Sequence, residues 1–402
     1  MQSAPNMYKK MFLLILTLLL FSLTFRPSIM EFVNATPAEI TVQLGGSIQE
    51  AINNASTGDT ILVETGTYYE HVKVNKTVSL VGENRVTTIV DGGGTGPVIK
   101  VTADNANVTG FTIQNGGNIP YSGLFVGNST GNTISNNIIR NSAYGTELFK
   151  SNGSSIIGNT IINNSWAGIY IHDSNENIIY DNIISNNSIG AWISSSDIPN
   201  TFYHNNFINN PNQASDFGPS KWDNGTEGNY WSDYMGMDTN GDGIGDTGLP
   251  HQGDSYPLII PTRPFPVVLD DIIYPVALLS NSTVSRFYFS KPLKRIGLNV
   301  TGSSGTLGFC NVTIPLTLMW CDQPEEWQVT VSGNSPTYFP TPTNNGTHTF
   351  LYFTYNQSTQ NVKITSIYVA PEFPAAIVLP LFIIVTLVAV TLRKKKKRTF
   401  KF

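Results

Sequence analysis

The sequence predicts an all-β protein: a solenoid of short strands, then a smaller β-sandwich, then a C-terminal transmembrane helix. Three observations carry that prediction. First, between Ser122 and Asn210 two residue series share one period. Gly123, Gly145, Gly168 and Gly190 recur at intervals of 22, 23 and 22, and Asn137, Asn159, Asn182 and Asn206 at 22, 23 and 24. A common period makes each repeat one structural coil, which is the signature of a solenoid. Second, beyond the proline-rich linker Pro261-Thr262-Arg263-Pro264-Phe265-Pro266 the repeat gives way to separate strand-like runs. Third, residues 375–392 carry no charge and run into Arg393, Lys394, Lys395, Lys396, Lys397 and Arg398. An apolar span of that length followed by a basic cluster reads as a stop-transfer anchor with a cytoplasmic tail.

From the N-terminus, Lys9 and Lys10 precede an apolar run over residues 11–25, and Val33-Asn34-Ala35 offers a small-residue cleavage site. Residues 1–35 therefore read as a signal peptide. The chain between the two apolar ends is expected on the extracellular face of the membrane, in keeping with its fourteen Asn-x-Ser/Thr sequons. Ser47-Ile48-Gln49-Glu50-Ala51-Ile52 begins a short helix that caps the first coil, and Gly58-Asp59-Thr60-Ile61-Leu62-Val63 opens the strand rhythm. Solenoids need such caps to close an open core.

Within each coil, side chains alternate between faces. One and three residues after each glycine stand Leu124/Val126, Thr146/Leu148, Ile169/Ile171 and Ala191/Ile193, all small or aliphatic and hence inward. The residue between them points out, which gives a column of Phe125, Glu147, Tyr170 and Trp192, with His172 and Phe149 two positions further along. The asparagines at Asn141, Asn163, Asn186 and Asn210 close the coils. Asn tolerates left-handed backbone and can bond its own kind up a stack, so these need no chemical role.

The Asn-x-Ile-x-x-Asn coils, the entry cap, and the closing stretch Gly228-Asn229-Tyr230-Trp231-Ser232-Asp233-Tyr234 with Ser255-Tyr256-Pro257-Leu258 together resemble the NosD-like, pectate-lyase-like right-handed parallel β-helix family. The resemblance covers roughly residues 40–262 and implies a β-helix over residues 36–262. It fixes no activity, because that scaffold hosts lyases, hydrolases, transport accessories and plain surface proteins. Residues 263–370 are expected to form the sandwich, from runs such as Arg286-Phe287-Tyr288-Phe289, Trp327-Gln328-Val329-Thr330-Val331 and Thr349-Phe350-Leu351-Tyr352-Phe353. The sandwich holds Cys310 and Cys321, for which a disulfide is permitted outside the cell. Pro371-Glu372-Phe373-Pro374, ahead of the apolar span, resembles the archaeal PEF-CTERM sorting signal, so residues 371–402 read as a membrane anchor or sorting tail.

Composition excludes a nucleic-acid partner. Only 13% of residues are charged and the net charge is −5, which leaves no basic footprint. For catalysis the acids Glu147, Asp173, Glu176, Asp181 and Asp197 lie on different edges. The best pair, Glu147 and Asp173, would be roughly 11 Å apart, beyond the about 5 to 9.5 Å that glycosidase carboxyl pairs use. Binding of glycan or cell-surface polysaccharide through Phe125, Glu147, Tyr170, His172 and Trp192 is the better reading, since exposed aromatic patches mark interaction sites. A polysaccharide lyase or hydrolase and a NosD-like copper accessory are the alternatives. Asp238, Asn240, Asp242, Ile244 (through its carbonyl) and Asp246 match positions 1, 3, 5, 7 and 9 of an EF-hand-type loop and suggest a structural calcium. The acid at position 12 is replaced by Leu249. Copper sites need convergent His, Cys or Met, and the five histidines here are scattered.

Overall fold

The computed structural model describes residues 37–269 and 272–370, and its described residues from Glu39 to Ala370 belong to one compact unit. The signal peptide and the 371–402 tail expected above lie outside the described residues. Among the described residues no helix is long and apolar enough to cross a membrane.

The helix Ile48–Asn54 closes one end of the solenoid. Ser47 caps it by accepting the Glu50 N–H, and Glu70 accepts the N–H groups of Ile48 (2.8 Å) and Gln49 (3.2 Å). Donors that a helix start would otherwise leave bare are thus satisfied. The helix buries Ile48, Ala51 and Ile52 on the open end of the coil stack.

Three parallel sheets of eight, seven and eight strands form the stack, the first of them opening with the strand Glu39–Val42 ahead of the helix. One coil shows the plan. A glycine-led strand Ser122–Gly127 turns into Thr133–Ser135, then into Ile138–Arg140, and the next glycine-led strand begins at Tyr144. Each strand pairs only with its equivalents one coil above and below. The inward alternation holds: Leu124, Val126, Thr146, Leu148, Ile169, Ile171, Ala191 and Ile193 are all fully buried.

Every corner of the coil carries a buried amide ladder. Between the second and third strands, Asn137, Asn159, Asn182, Asn205 and Asn229 are linked. In each step the lower residue's N–H and Nδ2 donate to the next Oδ1 at 2.9 to 3.2 Å. A second ladder runs through Asn164, Asn187 and Asn210. A third runs through Asn132, Ser154, Asn177 and Asn200. These bonds supply the partners that buried corner backbone requires. Two details correct the sequence reading. The ladder continues through Asn205, not Asn206, whose side chain instead bonds Thr262. The closing asparagines also split into two columns: Asn141, Asn163, Asn186 and Asn209 hold φ of 53° to 56°, while Asn164, Asn187 and Asn210 form the ladder.

From Arg263 the sheets become antiparallel. A five-stranded and a four-stranded sheet enclose a separate core that includes Val276, Ile296, Leu298, Val312, Leu351, Phe353 and Ile364. Cys310, buried on the strand Leu307–Pro315, and Cys321 are free thiols.

Candidate functional site

The outward column of the glycine-led sheet is continuous. In parallel register it reads Lys73, Lys100, Phe125, Glu147, Tyr170, Trp192 and Ser215. Phe149 and His172 stand in register beside it. The chemistry changes along the column, cationic at one end and aromatic at the other. Lys100 Nζ lies 5.2 Å from the Phe125 ring centre and Lys150 Nζ 5.3 Å from that of Phe149, within cation–π range. Phe125 lies flat over Gly127, where a Cβ would meet the ring at 2.3 Å; the glycine makes room for it.

The aromatic rings are used unequally. Tyr170 is stacked on both sides, against Tyr144 (4.8 Å) and Trp192 (4.6 Å), so both of its faces are occupied. Trp192 is half-buried, and the next residue in register on its other side is Ser215, which carries no ring to stack on it. Trp166, 40% exposed, sits tilted beside Trp192 with centres 6.2 Å apart, and Phe217, 75% exposed, follows the last strand of this sheet. The open aromatic surface therefore lies at the Trp192 end, and Tyr170 acts as its backing.

Glu147 interrupts the column. It accepts a hydrogen bond from Ser122 Oγ. Burial pushes its carboxyl above the usual range, against the pull of that hydroxyl, His172 and Lys100. Its neighbours in register are Phe125 and Tyr170, so no second carboxylate stands beside it on the column. Asp173 instead accepts the Ser195 hydroxyl at 2.6 Å and lies 3.5 Å from His172.

In the loop at residues 238–246, Asp238 takes the N–H groups of Gly241, Asp242 and Gly243, and Asp246 takes the N–H and hydroxyl of Thr239. Asn240 accepts from Asp242 N–H and Asp242 from Ile244 N–H. Among the described residues no group of three or more His, Cys, Asp or Glu could hold a metal ion. His71 and His251 have separate surroundings. His71 bonds Pro97 and Thr95, and His251 bonds Asp233. Met235 and Met237 are solvent-exposed, and burial pushes the Cys310 thiol up to about 11.

A polar cluster that the sequence reading did not assemble lies where the sandwich meets the solenoid. His204 Nε2 pairs with Glu227 Oε2, and His204 Nδ1 stands 3.6 Å from Asp181 Oδ1. All three side chains are buried. Asn311 of the sandwich donates to Glu227 Oε1, His348 packs edge-on against Tyr180 (5.6 Å), and Tyr180 stacks on Tyr203. Burial opposes the charge of His204, but the two carboxylates outweigh it and carry its pKa up to about 10. Burial carries His348 down to about 4, assisted by His204 and opposed by Asp181. The signal was in the register. Asp181 and His204 occupy the same left-handed corner position in consecutive coils (φ 58° and 56°), 23 residues apart.

The fold is thus a parallel β-helix with one aromatic outer face and a sandwich locked to another side. Residues 52–236 match the family described as "Periplasmic copper-binding protein (NosD)", and this segment is NosD-like in sequence and in fold. The copper in that description does not fit the described residues, among which no group of three or more His, Cys, Asp or Glu side chains could hold a metal ion. Over 136 residues the chain is 33% identical to a "Cell surface glycoprotein" of Methanothermus fervidus, an alignment covering 33% of this chain and 21% of that protein. The chain thus spans about a fifth of that relative's length. Among solved structures it is similar to the pectin methylesterase PemA of Erwinia chrysanthemi, with 14% identity, 51% of this chain, 76% of that chain and a TM-score of 0.31. It is also similar to an alginate lyase of a Paenibacillus species, with 15% identity, 48% of this chain, 97% of that chain and a TM-score of 0.25. At such scores the likeness says nothing of activity.

Proposed function

We propose that this chain is a surface-displayed β-helix that binds glycan or cell-surface polysaccharide through the outer face of its glycine-led sheet. The observation that carries the reading is the column from Lys73 to Trp192, held in one parallel register and ending in a half-buried indole beside the exposed Trp166. A sugar ring would lay its apolar face on Trp192, flanked by Trp166, while Lys100, Glu147 and His172 meet hydroxyl or acidic groups further along. Surface display is supported by the cell surface glycoprotein relative and by the sequons. A cleaving enzyme is the weaker reading, since Glu147 has no partner acid on the column.

The test is affinity electrophoresis of the purified chain through a panel of polysaccharides. Trp192→Ala with Tyr170→Ala is expected to cost about 2 kcal/mol, roughly thirtyfold in affinity, with thermal melting as the control for folding. Unchanged retention of a well-folded double variant would refute the face as the binding surface.

We also propose a weak structural calcium in the 238–246 loop, favoured by the EF-hand-type spacing of its oxygen-bearing residues and by the turn that Asp238 draws tight by accepting three N–H groups on its two carboxylate oxygens. The ion would draw on Asp238, Asn240, Asp242, the Ile244 carbonyl and Asp246. Calorimetric titration of the purified chain should show heat at about millimolar calcium that Asp238→Ala abolishes; no heat removes the ion from the account.

A further inference from the structure

The left-handed corner column that holds Asp181 and His204 continues down the solenoid through Gly158 and Asn136, with φ of 62° and 51°. A different charge lies across that stretch. Arg85, from the turn after the strand Ser79–Gly82, reaches over several coils. Its guanidinium donates to Asn136 Oδ1 at 3.1 Å and, weakly, to the Gly158 carbonyl and the Thr160 hydroxyl, both at 3.5 Å. Among the described residues no carboxylate lies within 4.0 Å of it. The same guanidinium lines a pocket of about 300 Å³, walled by Ile157 on the solenoid and by Pro264, Pro266 and Pro275 on the first two strands of the sandwich.

A half-buried cation without a counter-charge is costly to desolvate, and burial does pull the Arg85 pKa down. A planar guanidinium with free donors matches a carboxylate in two-pronged fashion. Proline rings and an isoleucine match the apolar faces of a ring. The volume falls at the small end of ligand pockets, enough for one ring and too small for the interior of a polymer chain.

We infer that this pocket binds a ring-sized carboxylate, with Arg85 receiving the carboxyl group and the three prolines receiving the ring. A sugar acid and an apolar ring acid share that chemistry. The site is separate from the aromatic face and does not depend on the glycan reading.

The test is calorimetric titration of the purified chain with sodium glucuronate, sodium cyclohexanecarboxylate and glucose. Saturable binding of one of the two acids is expected, and which of them binds tells whether the natural ligand is a sugar acid. Glucose should not displace either acid from this site. Binding should weaken as salt is raised. Arg85→Gln should lose at least roughly tenfold in affinity, the scale of a charge-assisted hydrogen bond. Arg85→Lys, which keeps the charge but not the fork, should lie between, and serves as the readout if the glutamine variant melts early. Arg85→Gln should leave polysaccharide retention on affinity electrophoresis unchanged, which separates this site from the aromatic face. Binding of neither acid, displacement of the bound acid by glucose, or full affinity in folded Arg85→Gln and Arg85→Lys would overturn it.

Discussion

Glu227→Gln should destabilise the protein by about 3 to 5 kcal/mol, the usual cost of removing one partner from a buried ion pair. The substitution preserves shape and the contact with Asn311, but it takes away the carboxylate paired with His204. His204 would then face Asp181 alone, at 3.6 Å. The effect has a pH signature. The folded pKa of His204 is raised to about 10, above the ordinary value near 6.5. Its contribution is therefore fully present below about 6.5 and is lost as pH rises through 10. The folded pKa of His348 is depressed to about 4, so stability falls as pH drops from about 6.5 through 4, when His348 must charge beside Tyr180 and near His204. The groups facing this pair from the solenoid are Asp181, Glu227, Tyr180 and Tyr203, and from the sandwich Asn311. Stability measured by urea denaturation should peak near pH 6.5 and decline on both sides. In Glu227→Gln the alkaline decline should flatten. A variant that matches the parent in both magnitude and alkaline slope would mean the pair does not hold the joint.

Asn182→Ala should cost upwards of about 3 kcal/mol. Its amide donates to the carbonyls of Ile156 (2.8 Å) and Tyr180 (2.9 Å) and to Asn205 Oδ1, and its Oδ1 accepts two bonds from Asn159. The residue is completely buried, so water cannot replace those partners, and each orphaned group carries a penalty of about 1 to 3 kcal/mol. Asn163→Gly is the control: that residue is exposed, left-handed at φ 56°, and outside the ladders, so glycine should be nearly neutral. Thermal and urea midpoints for the two variants would decide it. Equal effects would mean the amide ladder is incidental to stability.

The period of two along the glycine-led strands was legible because it depends on local geometry alone. It placed Leu124 to Ile193 inside and Phe125 to Trp192 outside, and the structure agrees. The ladders were legible only in outline. Doublets such as Asn163-Asn164, Asn186-Asn187 and Asn209-Asn210 offer two asparagines for two jobs, and spacing cannot say which is left-handed and which is bonded. The rule visible in the structure is that the ladder residue follows the left-handed one: Asn136 then Asn137, Gly158 then Asn159, Asp181 then Asn182, His204 then Asn205. The same rule would have placed Asp181 and His204 in one column. It could not have supplied Glu227 or Asn311, which reach that column from a closing loop and from another domain. Nor could period alone show that Tyr170 is sandwiched between Tyr144 and Trp192, because ring stacking depends on rotamers that the strand pattern leaves free.

The central claim is that ligand sits on the outer face of the glycine-led sheet, at its aromatic end. Its most direct test is covalent side-chain footprinting of the purified chain with and without a polysaccharide that it retains on electrophoresis. Protection concentrated at Trp192, Trp166 and Phe217, with Tyr338 of the sandwich unchanged, is the predicted result. Protection confined to the sandwich, with those three rings equally reactive in both states, would contradict it.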